Sequence, residues 1–334
     1  MIKSNSAGTV NPVDRVLYLV DLFRMRLRGR GKFENSRNIE KIKEYEGLSA
    51  KHGINLRSSQ ILEIGVGQRP YLGISLVGLG YSYIGIDLDQ PIFPPSLHKF
   101  WSIYRVNGFL RLLKTLIRYY LFDRSEYRAL FSELGISASE IKKARFFVQG
   151  DASVANFSEL LHLSGAAQET RIAKPVVVIS ESVFEHIPRE DLLRILHNLR
   201  GFALNEGRKL LVLSRPTIYT GICGSHLTEW YHHNVYSRAP KASEPWEHLR
   251  KQRFSADTYL NRLTRAQYRE LFRHAGFLVS AETVEMPGLG SEFLQDPELR
   301  AELAEFSDDE LLSNEVMFEL VPGHVGPCPS TGHF

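Results

Sequence analysis

The sequence predicts an α/β fold: a mainly parallel seven-stranded sheet with helices on both faces, plus helical insertions. Three observations predict it. Apolar runs of strand length recur near 60–65, 82–87, 145–149, 175–180, 208–214, 277–285 and 315–321. Amphipathic segments near 70–79, 156–163, 189–203 and 264–274 lie between most of them, the alternation that builds parallel crossovers. A glycine turn, Glu63-Ile-Gly-Val-Gly-Gln-Arg-Pro-Tyr71, joins the first run to the first helix, and the second run, Tyr83-Ile-Gly-Ile-Asp87, ends on a carboxylate.

Residues 1–12 are Ser, Asn, Gly and Pro with little to bury and are expected to be disordered. Residues 13–54 read as helical, and Arg24 to Lys32 carry five positive charges and no acid. The main domain is expected over 55–322. In its glycine turn, Gly65 and Gly67 let the backbone pass close to a ligand, and Asp87 is placed to accept hydrogen bonds from a ribose diol. A nucleoside-containing cofactor fits that pair. A dinucleotide site would place a third glycine where this chain has Pro70, which removes an amide donor that a pyrophosphate uses. Glu63 opens the turn with a carboxylate, which suits a cation or an amino group and not an anion.

These residues resemble the first motif of the class I S-adenosylmethionine-dependent methyltransferases, an acidic residue followed by Gly-x-Gly. The resemblance continues through Phe146-Phe-Val-Gln-Gly-Asp-Ala152, through Pro175-Val-Val-Val-Ile-Ser-Glu-Ser-Val-Phe-Glu-His-Ile-Pro188, through Gly207-Arg-Lys-Leu-Leu-Val-Leu213, and through the helix and turn Leu263 to Phe277. It spans residues 60–322 apart from two insertions and implies a Rossmann-like methyltransferase fold. The return from the sixth strand to the last fits the antiparallel end of such a sheet, after an acidic stretch in which Ser307 and Glu310 have capping-box spacing. S-adenosyl-L-methionine is the implied cofactor. Glu63 then lies at its methionine amino end, Asp87 holds the ribose, and Asp151 serves the adenine side. Gly65, Gly67, Leu88, Ala152, Ser180 and Glu181 complete the implied cofactor set.

Two insertions are individual to this chain. In the first, about 92–143, Leu110, Leu113, Ile117 and Tyr120 fall on one helical face and Arg111, Lys114 and Arg118 on another. Between Gln90 and Phe122 there are five Lys or Arg and no acid. That pattern leaves open a helical cap with a solvated basic side, a patch for an anionic substrate, and a surface that rests on membrane lipid through 99–118. The second, about 215–261, follows the fifth strand, where open α/β sheets bind ligands, and is expected to be a lid over the methyl acceptor. It holds four of the twelve histidines and two of the three tryptophans. Trp230, His233, Trp246 and His248 are the candidate substrate contacts. His226 and His186 rank equally as general base, with Glu185 and Glu181 behind them. Glu229 with His226 and His233 forms a conceivable divalent site, but lid histidines more often hydrogen-bond, so no metal is expected.

Composition bounds the function. Of 334 residues 43% are hydrophobic, enough for one large core. The sequence shows no membrane-length apolar run and no secretory leader, and Cys223 and Cys328 form no disulfide framework, so a reducing cytoplasm is expected. A net charge of +3 implies no nucleic acid by itself. The expected function is methyl transfer to a small molecule, a hydroxyl of a secondary metabolite or of a polysaccharide sugar. An RNA methyltransferase and a non-catalytic cofactor binder are the alternatives. Residues 323–334, rich in Gly and Pro, are expected to form a loose tail.

Overall fold

The computed structural model of the chain describes residue 24 and residues 35–163, 174–224, 245–251 and 259–323. The expected disorder of 1–12, most of the basic stretch 24–32 and the tail beyond 323 lie outside the described residues. Seven strands form one sheet in the order β3-β2-β1-β4-β5-β7-β6. They are β1 (Gln60–Ile64), β2 (Ser82–Asp87), β3 (Phe147–Gln149), β4 (Val176–Glu181), β5 (Leu210–Arg215), β6 (Phe277–Glu285) and β7 (Glu315–Pro322). Each falls on one of the apolar runs read from the sequence. β1 pairs in parallel with both β2 and β4, and β7 runs antiparallel to β5 and β6. β4 opens as Val-Val-Val-Ile and β5 as Leu-Leu-Val-Leu because both of their faces are covered.

Period-two alternation divides the core into two layers. Leu62, Ile64, Val176, Val178, Leu210 and Val212 face one layer, which is closed by α6 (Phe157–His162), α7 (Arg189–Asn205) and α9 (Arg265–His274). Ile61, Val177, Ile179, Leu211 and Leu213 face the other. It is closed by α1 (Ser36–Lys51), α2 (Tyr71–Gly78) and the helices between β2 and β3. Those are α3 (Leu97–Arg118), a π-helical turn over Tyr119–Asp123, α4 (Arg124–Leu134) and α5 (Ala138–Lys143). Short helices α8 (Glu247–Arg250), α10 (Pro297–Glu302) and α11 (Asp308–Leu311) surround a small satellite core of Ile222, Cys223, Trp246, Leu294, Leu299, Leu303 and Leu311.

Local chemistry sets the helix ends. Thr264 and Gln267 form a reciprocal capping box at the start of α9. The Ser307–Glu310 pair makes only half of one: Ser307 Oγ accepts from the Glu310 amide, but the Glu310 carboxylate accepts from Thr220 Oγ1 (2.6 Å) and the Arg265 amide (2.7 Å). A long-range demand outcompetes the local one there. α3 breaks at Gly108, whose φ of 80° and ψ of 175° are not helical. Its facing also differs from the cap expectation. Thr115, Tyr119 and Phe122 turn inward with Leu112, while Leu113, Ile117 and Tyr120 are exposed. A β-branched hydroxyl and a tyrosine carry much of the inward face, which apolar periodicity alone does not mark.

Trp246, expected to touch substrate, is 0% exposed and its indole N–H donates to the Thr220 carbonyl at 3.1 Å. It is the centre of the satellite core. Trp246→Ala is therefore expected to lower unfolding free energy by about 3–5 kcal/mol, the ordinary cost of emptying a large aromatic site. Urea titration followed by circular dichroism measures this, and a change under about 1 kcal/mol would place the indole outside the core.

Candidate functional site at the carboxyl edge of the sheet

The carboxyl ends of β1, β2, β3 and β4 carry the glycine turn and four acidic residues, Glu63, Asp87, Asp151 and Glu181. Gly65 has a φ of 86°, and a Cβ placed on it would lie 2.2 Å from Val183 Cγ2, so both conformation and space require glycine. Its amide donates to Ile86 O at 2.9 Å. Gly67 has a φ of 67°, and its amide donates to Asp87 Oδ2 at 2.7 Å, while Asp87 Oδ1 accepts from the Asp89 amide at 2.8 Å. The turn is thus clamped to the tip of β2. Pro70 caps α2 from one position before its first residue.

Glu63 is buried at the end of β1, and its only side-chain hydrogen bond among the described residues comes from the neutral Tyr83 hydroxyl. Burial pushes its carboxyl up to about 7, and Glu181 and Asp87 push in the same direction. Burial likewise raises Asp87, opposed by the Gly67 and Asp89 amides. Asp151 follows β3, whose Gln149 pairs in register with Asp87, and Asp151 Oδ1 accepts from the Ser153 amide at 2.8 Å. Leu88 stands beside this pair 69% exposed, an apolar surface next to two carboxylates, and its carbonyl accepts from Gln149 Nε2 at 3.0 Å. Ala152 is half-buried behind Asp151. Glu63, Gly65, Gly67, Asp87, Leu88, Asp151 and Ala152 are therefore gathered at adjacent strand tips.

The two remaining members of the expected cofactor set sit differently. Glu181 binds Lys41 Nζ (2.6 Å), Tyr45 Oη (2.5 Å) and Arg215 Nη1 (3.2 Å), so it anchors α1 over the edge of the sheet. Ser180 lies on the opposite face with Val178; its buried hydroxyl has no hydrogen-bond partner among the described residues, nor has that of Ser214 across the register. Arg215, which the sequence reading did not single out, also pairs with Glu44 and with Glu285 at 3.4 Å. Glu315, at the start of β7, is pushed up to about 7 by burial and by Glu181 and Glu285, against Arg215 and Lys41. No local pattern in the sequence marks this network, because its members come from residues 41 to 315.

The insertion after β2 braces the glycine turn from outside. Arg118 donates to Gln68 Oε1 at 2.8 Å and to Asp123 Oδ2 at 3.1 Å, and the Ile92 amide donates to Gln68 O at 3.1 Å. On the lid side, His226, Trp230 and His233, and with them the conceivable metal group, lie outside the described residues. His186 Nδ1 donates to the Tyr259 carbonyl at 3.0 Å. Glu185 is buried and accepts from Thr217 Oγ1 at 2.6 Å. His248 is buried against the Tyr219 carbonyl at 2.7 Å, and burial lowers it to about 4. It stays neutral near pH 7 and, like Trp246, is enclosed and not presented as a substrate contact.

No protein-family model matches the chain, and no curated protein matches it. Among solved structures it is similar to the magnesium protoporphyrin IX methyltransferase of Synechocystis PCC 6803, at 12% identity over 95% of this chain and 90% of that one, with a TM-score of 0.38. A SAM dependent methyltransferase from Archaeoglobus fulgidus gives 10% identity over 91% and 99% of the two chains, with a TM-score of 0.36. The phosphoethanolamine N-methyltransferase 2 of Haemonchus contortus gives 15% over 84% of this chain and 53% of that one, with a TM-score of 0.35, so this chain spans about half of that protein. Values this low carry no chemistry across, and the sheet order and the side chains above carry the argument.

The raised Glu63 carboxyl fixes a sign. A folded pKa of about 7 against the ordinary 4.5 means that the native state keeps a proton the unfolded chain has released. Its contribution is complete below pH 4.5 and is lost as pH rises to 7. Glu63→Gln is expected to flatten that part of the stability profile, by an amount on the order of 3 kcal/mol at most. Denaturant titrations of parent and variant across this range measure the difference, and parallel profiles would contradict a protonated Glu63.

Proposed function

We propose that this chain is a class I S-adenosylmethionine-dependent methyltransferase acting on a small-molecule acceptor. Its fold is the Rossmann-like methyltransferase fold, with β7 inserted antiparallel between β5 and β6. The observation that carries the proposal is the pairing of Asp87 with the Gly67 amide beside exposed Leu88, one strand away from a buried Glu63 whose only hydrogen-bond donor among the described residues is a neutral phenol. Asp87 keeps lone pairs for a ribose diol, Leu88 offers an apolar face to a base, and a cation near Glu63 would relieve a costly buried carboxylate. The residues present therefore fit S-adenosylmethionine, and Glu63, Gly65, Gly67, Asp87, Leu88, Asp151 and Ala152 would hold it. The cofactor supplies a methyl group already activated on a sulfonium.

The protein's own part is to hold an acceptor in line and take its proton where the nucleophile is a hydroxyl. We assign the acceptor to the segment after β5, in the position where open α/β sheets admit ligands. A hydroxyl of a secondary metabolite or of a polysaccharide sugar is the proposed nucleophile, with His226 or His186 Nε2 as the base.

Isothermal calorimetry tests the cofactor. S-adenosylhomocysteine is expected to bind and NAD to give no measurable heat, and the reverse result would sink the proposal. Asp87→Ala is expected to weaken S-adenosylhomocysteine about ten- to a hundredfold while the protein remains folded, since it removes charge-assisted bonds to the ribose. Unchanged affinity would move the nucleoside elsewhere.

A further inference from the structure

α3 presents an apolar face to solvent on both sides of its break. In the first segment Leu97, Trp101 and Tyr104 follow one another at helical spacing, and Leu97 is 89% and Trp101 59% exposed. In the second, Phe109, Leu113 and Ile117 do the same and run on to Tyr120 in the π-helical turn, with Phe109 62% and Tyr120 58% exposed. The two faces are the outward sides of segments whose inward sides, Ile103 and Phe100 in one and Thr115 and Tyr119 in the other, are packed on the core. Seven large apolar side chains left outside in one helix and its continuation exceed the scattered exposure normal for a protein surface.

We propose that this face rests on an anionic lipid bilayer, lying in the headgroup region without crossing it. Charge selects the occupant. Arg105 and Lys114 are exposed along the flanks of the stripe and Arg111 further round the helix, none has an ion pair among the described residues, and no acid occurs from Gln90 to Phe122. A second copy docked by a two-fold axis would set these cations against their own equivalents, with no carboxylate on the face to offset them. An anionic headgroup layer offsets them along the whole length, and Trp and Tyr rings suit the boundary between headgroup and acyl chain. No described helix is long and apolar enough to cross a membrane, which agrees with a helix lying in the interface plane. Arg118 and Lys99 take no part, because Arg118 is held by Asp123 and Gln68 and Lys99 by the Phe93 carbonyl at 3.0 Å.

Co-sedimentation of the full chain with vesicles tests this. Vesicles of phosphatidylcholine with about one-third phosphatidylglycerol should bind the protein at about 50 mM salt and release most of it at about 500 mM, where screening is short-ranged. Vesicles of phosphatidylcholine alone should bind it at least about tenfold more weakly. Trp101→Ser and Phe109→Ser should each weaken binding by about tenfold, and Arg105→Gln with Lys114→Gln by a similar factor, while the equally exposed Leu278→Ser on β6 should leave it unchanged. If an apolar variant fails to fold, as judged by its thermal transition, the Arg105 and Lys114 pair decides. No binding to anionic vesicles, equal binding to neutral ones, or unchanged binding in the charge pair would overturn the proposal. So would a dimer in sedimentation velocity that Trp101→Ser converts to monomer, which would make the occupant a second copy.

Discussion

The hydrogen bond from the Gly67 amide to Asp87 is the contact on which the rest of the site depends. It ties the turn after β1 to the tip of β2, and with the Gly65 amide on Ile86 it fixes the path of the backbone between them. Parallel strands pointing the same way deliver Glu63, Asp87 and Asp151 to one edge, but only the clamp gives the turn a single conformation. A ligand that meets a turn already set loses less conformational freedom on binding. The bulk of Val183 against Gly65 makes the same point sterically, since no side chain can enter there.

Around this clamp the edge is held by charges from distant parts of the chain. Arg215 carries Glu44, Glu181 and Glu285, and Lys41 and Tyr45 bring α1 onto Glu181. Such a network costs desolvation and gives orientation, so its value lies in fixing where α1 sits more than in raw stability. Arg118 plays the matching role on the other side by joining the insertion to Gln68. The glycine turn is therefore gripped between two helical layers that the core fold does not require. The same insertion turns its outer, apolar side away from the protein.

Sheet and glycine turn were legible because their signals are local. Period-two burial, the glycine turn and the acid after β2 each lie within a few residues of one another, and all seven strands fell where the apolar runs put them. Three readings missed a partner that lies far along the chain. Glu310 resembled a capping residue but serves Thr220 and Arg265. Trp246 and His248 resembled pocket residues but fill a satellite core and bond carbonyls of 219 and 220. Glu181 followed a strand tip as a ligand residue should, yet its partners are Lys41, Tyr45 and Arg215. In α3 the periodicity was legible but its facing was not, because a helix with apolar residues on two sides does not say which side the core takes.

The central claim is that a buried, protonated Glu63 waits for a cationic ligand beside a nucleoside turn. Calorimetric titration with S-adenosylmethionine in buffers of different ionisation enthalpy near pH 6.5 measures protons exchanged on binding. A positive ligand near Glu63 lowers its pKa from about 7, so the account predicts a net release of a large fraction of one proton, absent in Glu63→Gln. Binding without proton release in the parent, or equal release in the variant, would contradict it.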